Sequence, residues 1–208
     1  MLLDFDNIVS KYNMTLTGVI HIGAHHGEEY NIYKKYDSIK NVVFFEPDPD
    51  SFKLLEKTIA EDEKAIAIKT ALGAFSCKAY MNKETANNGA SNSILEPGTH
   101  LLQYPNITFD DKDKYKVSIH PLDRYVPHPS LNFINIDVQG FELQVFLGAS
   151  NTLNNVDYII SEVNRDEVYK NCAKVEDLDY FLGKYNFKRV ETSWDGGTWG
   201  DALYIKQS

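Results

Sequence analysis

A strand that runs straight into a glycine turn and a helix start constrains a chain more tightly than any property of its composition. Here that junction is Thr17-Gly18-Val19-Ile20-His21-Ile22-Gly23-Ala24-His25-His26-Gly27-Glu28-Glu29. Val19 to Ile22 reads as a short buried strand, Gly23 to Gly27 as a tight turn of small residues, and the two acids as the first turn of a helix. In an open α/β sheet a nucleotide-like ligand sits at such a junction, because glycine lets the backbone approach and the helix start offers unpaired N–H groups. Asn41 to Glu46 is a second apolar strand, ending in a carboxylate nineteen residues after Gly27. A carboxylate there can accept hydrogen bonds from ribose hydroxyls.

Strands and helices alternate through the rest of the chain. Phe5, Ile8, Val9 and Tyr12 share a face of a lead-in helix over 4–14, within an N-terminal segment 1–16. A helix over 28–36 follows the glycine turn, and Pro47 stops the second strand because it cannot donate a ladder bond. Asp50 is the expected N-cap of a helix to about residue 60, with Phe52, Leu55 and Ile59 as its apolar stripe. Further strands are expected over 65–71, 77–81, 116–119, 132–137 and 157–163, with a brief helical turn over 122–126. A helix after Gly140 turns Leu143, Phe146 and Leu147 inward, and another covers 176–185. Two terminal strands, 187–191 and 202–205, are joined by a loop from Trp194 to Asp201 that could wall a pocket. This alternation implies an α/β fold with a mostly parallel sheet and right-handed crossovers. Residues 82–113 carry Asn87-Asn88-Gly89-Ala90-Ser91-Asn92-Ser93 and no regular pattern, and read as a loop or lid on the substrate side.

Composition narrows the partners. The 208 residues suffice for one sizeable core, and residues 1–208 read as a single domain. A formal net charge of −9 argues against nucleic acid, whose phosphates need clustered Lys and Arg. Two distant cysteines, Cys77 and Cys172, argue against a disulfide framework or a Cys-based zinc site. Early acids, with no basic segment ahead of an apolar one and no run of membrane-spanning length, suggest a cytoplasmic protein without a membrane partner.

Three segments together resemble one family. The wording His21-Ile22-Gly23-Ala24-His25-His26-Gly27, then Phe44-Phe45-Glu46-Pro47, then Ile136-Asp137-Val138-Gln139-Gly140-Phe141-Glu142 with Gly148-Ala149 is similar to the ordered motifs of FkbM-type S-adenosylmethionine-dependent methyltransferases. The resemblance runs from about residue 18 to 205. It implies a Rossmann-like class I methyltransferase sandwich, with a mostly parallel seven-stranded sheet and an antiparallel C-terminal edge hairpin. It also implies S-adenosylmethionine as cofactor and methylation of an oxygen on a sugar or other small-molecule hydroxyl. Ser91 and Ser93 fit a Ser-rich patch of the family. His21 departs from the family, where an acid is usual, and Asn135 and Gln139 replace a usual Lys and Glu.

The site follows from both lines. Gly23, Ala24, His25, Gly27, Glu46, Pro47 and Asp137 are the expected cofactor-binding residues. Asp137, His21 and Glu162 are the candidates for chemistry, because each lies near the C-terminal end of a predicted strand, the edge that lines the crevice of an open sheet. Asp137 or His21 could take the proton of a hydroxyl acceptor. Glu162 could instead pair with Arg165. Adjacent His25 and His26 on a tight turn rarely converge on one ion, so no metal is expected. His120 and His128 read as loop residues. Two other readings stay open: a Rossmann-like binding protein that has lost turnover, and a nicotinamide-dependent oxidoreductase, which would want a G-x-G-x-x-G turn that residues 23–27 do not supply.

Overall fold

The structure, a computed structural model, describes residues 1–125 and 129–207. Its first elements follow the apolar pattern. Helix α1 (Phe5–Lys11) leads into β1 (Gly18–Ile22), α2 (Tyr30–Tyr33) and β2 (Asn41–Phe45). Next come α3 (Pro49–Ile59), β3 (Ala65–Ile68), β4 (Ala71–Leu72) and β5 (Cys77–Met81). The chain continues through α4 (His100–Gln103), β6 (Tyr115–His120), β7 (Phe133–Ile136), α5 (Glu142–Leu147) and α6 (Ser150–Asn155). It ends in β8 (Tyr158–Asn164), α7 (Val175–Gly183), β9 (Phe187–Asp195) and β10 (Trp199–Lys206).

Seven strands form the main sheet in the order β3-β2-β1-β7-β8-β10-β9. The first five run parallel, and β10 runs antiparallel between β8 and β9, so the C-terminal hairpin closes one edge. Strand order reverses between β1 and β7, the switch point where ligands of such sheets bind. Alternating side chains divide the core. Ile20, Ile22, Ile134, Ile136, Ile159 and Val163 face α5 to α7 on one side. Val19, Phe44, Phe133, Ile160 and Leu203 face α1 to α3 on the other. Among the described residues no helix is long and apolar enough to cross a membrane.

Several expectations change. The strand expected over 65–71 splits: β3 stays in the main sheet, while β4 joins β6 and β5 in a separate three-stranded sheet. Thr70 marks the break, its hydroxyl donating to the Ser118 carbonyl at 3.1 Å. Helix α3 is capped by Asp48 rather than Asp50, with carboxylate Oδ1 accepting from the N–H groups of Asp50 and Ser51 at 2.9 Å each. Pro49 then takes the first helical position, where its missing N–H costs nothing. Only one turn of the helix expected over 28–36 forms, and Glu28 instead holds the ring of His25. Leu147 is 43 % exposed, at the end of the short α5, rather than inward. The loop expected from Trp194 to Asp201 is mostly strand, with only residues 196–198 turning between β9 and β10. A single 3-10 turn, Leu122–Arg124, stands where a helical turn is expected, and Val126 and His128 lie outside the described residues.

Candidate functional site

Strand register puts one residue from each central strand in a row. Ile22 of β1 pairs with Phe45 of β2 and with Ile136 of β7, and Ile136 pairs with Ser161 of β8. One step further along each parallel strand therefore brings Glu46, Gly23, Asp137 and Glu162 side by side, and Asp201 of β10 pairs with Glu162. Gly23 sits at φ +76°, and a Cβ there would lie 1.8 Å from the Asp137 carbonyl oxygen. The glycine is thus required by the neighbouring strand end.

Two clefts open along this row. The first, of about 600 Å³, is lined by Gly23, His25, Glu46, Pro47 and Asp137, and by an apolar patch that includes Leu72, Met81, Ile94 and Phe141. The second, of about 990 Å³, is lined by Asp137, Glu162, His100, Tyr104, Trp199, Asp195, Asn87 and Asn106. Ala90, Asp137 and Gln139 line both, so the clefts share a sill. The wall above is the segment 84–92, organised by the buried Glu84 carboxylate, which accepts from the N–H groups of Ala86 and Asn87 at 2.6 Å each and of Gly89. Ser91 lines the second cleft, and Ser93 donates to the Gln139 carbonyl at 2.7 Å.

Glu46 ties two turns together. Its carboxylate accepts from the N–H of His25 at 2.8 Å and of Asp48 at 2.7 Å, and it is only 6 % exposed. Burial pushes the carboxyl up to about 7, against the pull of those two N–H groups. His25, at φ +48°, places its ring between Glu28 (2.7 Å) and the Asn88 carbonyl (3.0 Å). Burial opposes its charge, but these two acceptors prevail and raise the imidazole to about 9.

At the far side of the sill the carboxylates gather. Oxygens of Asp137, Glu142 and Glu162 lie within 4.8 Å of one another. Asp137 is exposed to the clefts, whereas Glu162 is 3 % exposed. Burial, then the charges of Asp137 and Glu142, push Glu162 well above the ordinary carboxylate range. Glu142 is raised for the same first reason, although it accepts from the N–H groups of Val138 (3.0 Å) and Gly140 (3.2 Å). The trio has the spacing of a cation site, but the Gln139 amide already donates to two of its members. His25, His26 and Glu28 form a second such group, yet the two rings stack 19° from parallel at 3.6 Å, so their lone pairs do not converge.

Not every expected residue reaches the row. His21 stops two residues short of it, buried between Tyr33 (3.3 Å) and Asn135 (3.3 Å), and burial lowers its basicity. It lines neither cleft, so this geometry offers no route for it to take an acceptor proton. Ala24 turns its methyl into the core beside α3, and Gly27 packs against Leu55 and Thr58 at φ +80°; neither lines the clefts. The N–H groups of Gly23 and Ala24 are both taken by the Phe45 carbonyl. Arg165 makes no pair with Glu162: its guanidinium stacks on Trp194 at 3.6 Å.

Other residues of the site carry no local sequence signal. Asp48, Asn92 and Tyr115 line the first cleft; burial and then the Asp48 carboxylate beside it raise the Tyr115 hydroxyl, and Asn92 Nδ2 is buried without a hydrogen-bond partner. His100, in the second cleft, is 3 % exposed, with Nδ1 unpartnered amid the rings of Tyr104, Phe109 and Tyr169. An antiparallel bridge between Pro97 and Tyr169 joins these two segments, more than seventy residues apart in the chain. Only the third asparagine of an Asn-rich stretch, Asn92, and an acid after Pro47, Asp48, could have pointed to any of them.

Comparison with known proteins agrees with this architecture. A profile of the methyltransferase FkbM domain matches residues 21–189. The 2-O-methyltransferase NoeI of Sinorhizobium fredii (strain NBRC 101917 / NGR234) is 25% identical over 168 residues, covering 73% of this chain and 65% of its own length. The chain thus spans just under two thirds of that relative. A methyltransferase FkbM from Methylobacillus flagellatus KT has a TM-score of 0.62 at 13% identity, over 92% of this chain and 44% of its own. Magnesium protoporphyrin IX methyltransferase (ChlM) from Synechocystis PCC 6803, solved with bound S-adenosylmethionine, has a TM-score of 0.54 at 9% identity, over 97% of this chain and 76% of its own. At such identities the structural likenesses speak for the fold: a Rossmann-like sandwich of the class I methyltransferase kind.

Proposed function

The chain belongs to the FkbM methyltransferase family, and from that premise we propose that it uses S-adenosylmethionine to methylate a hydroxyl of a neutral carbohydrate or similar small molecule. The reading treats residues 1–208 as one methyltransferase domain. The observation that carries it is the sill at Asp137 and Gln139, where the cleft lined by Gly23 and Glu46 meets a second one.

The first cleft fits the cofactor chemically. Glu46 keeps lone pairs for ribose hydroxyls at the strand end, beside Gly23 and His25. Leu72, Met81, Ile94 and Phe141 offer a flat apolar slot for an adenine ring. The unpartnered Asn92 Nδ2 is a buried donor that a polar ligand would satisfy, and Asp48 and Tyr115 add a polar pair to the same wall. Asp137 lies at the inner end, where a sulfonium would meet its carboxylate.

The second cleft supports an uncharged acceptor. Among its described lining residues there is no Lys or Arg, while Asp137, Glu162 and Asp195 are acids. A phosphate-bearing acceptor would meet only repulsion there. Tyr104, Trp199 and His100 with Asn87 and Asn106 suit a polyhydroxylated ring, which wants one apolar face and many hydrogen-bond partners. NoeI, a 2-O-methyltransferase by name, supports oxygen as the methylated atom.

S-adenosylmethionine, when bound, supplies an electrophilic methyl group for in-line displacement. The protein's part is to align the acceptor oxygen across the sill and to take its proton. Asp137 is the exposed acid there and serves as base; burial and then the Asp137 charge raise Glu162, which favours its protonated form as a hydrogen-bond donor to the acceptor. The test is transfer of labelled methyl from S-adenosylmethionine to a panel of methyl glycosides, nucleoside monophosphates and short RNA. Labelling confined to glycosides is the expected result; labelling of the phosphate-bearing acceptors alone would refute the assignment.

A further inference from the structure

Gln139 stands on the sill with its amide fully engaged. Nε2 donates to Asp137 Oδ1 and to Glu162 Oε2, each at 2.7 Å, while Oε1 accepts from the Tyr169 hydroxyl at 2.7 Å. That hydroxyl also lies 3.0 Å from the Ser91 carbonyl. The opposite amide orientation would turn a carbonyl oxygen on two carboxylates, so the partners define the direction. The backbone is equally committed: Gln139 at φ +55° is followed by Gly140 at φ +92°, two left-handed residues in succession. Glutamine rarely adopts that region, and here Ser93 holds the peptide by donating to its carbonyl at 2.7 Å. Among the described residues Gln139 supplies the side-chain donor shared by the two acids.

We propose that Gln139 is the positioning residue of the transfer site, a neutral double donor that holds the Asp137 and Glu162 carboxyls together on the sill and thereby sets which of them is free to take a proton. The role assigned to that proton rests on the methyl-transfer reading above; the geometry of the clamp does not. A lysine or arginine in its place would cancel the charge of the acids, and a third acid would add to it. An amide pairs with both and adds no charge of its own. The other groups facing the pair are acidic or weakly polar: Glu142 from α5, Asp201 from β10 and the Tyr169 hydroxyl. Among the described residues, the Met1 amino group, 3.6 Å from Glu29, is a cation that interacts with Asp137. Glu142 is occupied by backbone N–H groups, and Asp201 accepts from the Leu2 N–H. Neither can replace the amide as a donor to the pair.

The test is a side-chain carboxyl titration of Asp137 and Glu162 by carbon NMR, in the wild type and in Gln139→Met, which keeps length and removes the donor. Losing hydrogen bonds to a charged group should raise the upper titration of the coupled pair by about one pH unit or more. Tyr169→Phe, which frees the amide to turn while keeping the ring, should shift it in the same direction by less, and provides the reading if the methionine variant does not fold. A merely structural Gln139 would lower the melting temperature and leave both titrations where they are, and that outcome overturns the proposal. S-adenosylhomocysteine binding to the same samples is scored separately, so failure of the cofactor reading cannot be mistaken for failure of the clamp.

Discussion

Glu46 concentrates the account at the scale of a residue, because one buried carboxylate both braces two turns and offers itself to a ligand. Glu46→Ala should weaken S-adenosylmethionine binding by tenfold or more in calorimetry, since the N–H groups of His25 and Asp48 lose their acceptor and the cleft loses its ribose partner. The pH dependence has a definite sign. A carboxyl raised to about 7 in the fold holds its proton where the unfolded chain, near 4.5, has lost it. Its contribution to stability is therefore fullest below 4.5 and declines as pH rises through 7. Wild-type stability relative to Glu46→Gln, from urea midpoints, should fall across that window and level off above it; a rising difference would contradict the assigned burial. That Glu46 and Asp137 close their strands is legible in the sequence, since each ends an apolar run just ahead of a helix-breaking or turn-forming pair. The place of His21 is not: it stops two residues short of the row, and without the register of β1 on β7 nothing distinguishes it from Gly23's level.

At the scale of elements, the turn after β1 is the least tolerant part of the chain. Gly23→Ala must fit a Cβ against the Asp137 carbonyl at a left-handed φ, whereas Gly197, in the β9–β10 turn, has nothing within 4 Å of the same added atom. Thermal melts should show Gly23→Ala failing to fold or losing several kcal/mol, with Gly197→Ala within about 0.5 kcal/mol of wild type. Helix α3 gives a milder case. Asp48→Ala removes the acceptor for the N–H groups of Asp50 and Ser51 and should cost about 1 kcal/mol, while Asp50→Ala leaves the cap intact. The cap lies two residues before the expected Asp50 because Asp48-Pro49-Asp50 offers two acids, and Pro49's fit at the first helical position decides between them. The split of the 65–71 strand has a related cause: no Pro or Gly interrupts Ala65 to Ala71, and the chain leaves the main sheet where β4 pairs with β6, far along the sequence, beside the Thr70 hydroxyl on the Ser118 carbonyl. Local patterns name an element; partners from elsewhere decide where it ends.

Over the whole molecule, the parallel sheet, the hairpin edge and the cofactor-side row could be read from spacing and resemblance. The second cleft could not. His100 and Tyr104, Tyr169, and Trp199 come from three segments that meet through the Pro97–Tyr169 bridge and through the Tyr104 hydroxyl, which accepts from Trp199 Nε1 at 2.6 Å. No period or motif records such a meeting. The segment 84–92 shows how much depends on it. Glu84→Ala should release the wall common to both clefts, raising amide hydrogen exchange over 86–92 at least tenfold while the main sheet stays protected. The central claim is that S-adenosylmethionine occupies the first cleft, with its ribose on Glu46 and its reactive end toward Asp137. Calorimetry with S-adenosylhomocysteine on wild type and Glu46→Ala tests it most directly. The account requires saturable, one-to-one binding to wild type and at least a tenfold loss in the variant. Equal affinity for both proteins, or no binding at millimolar ligand, would contradict it.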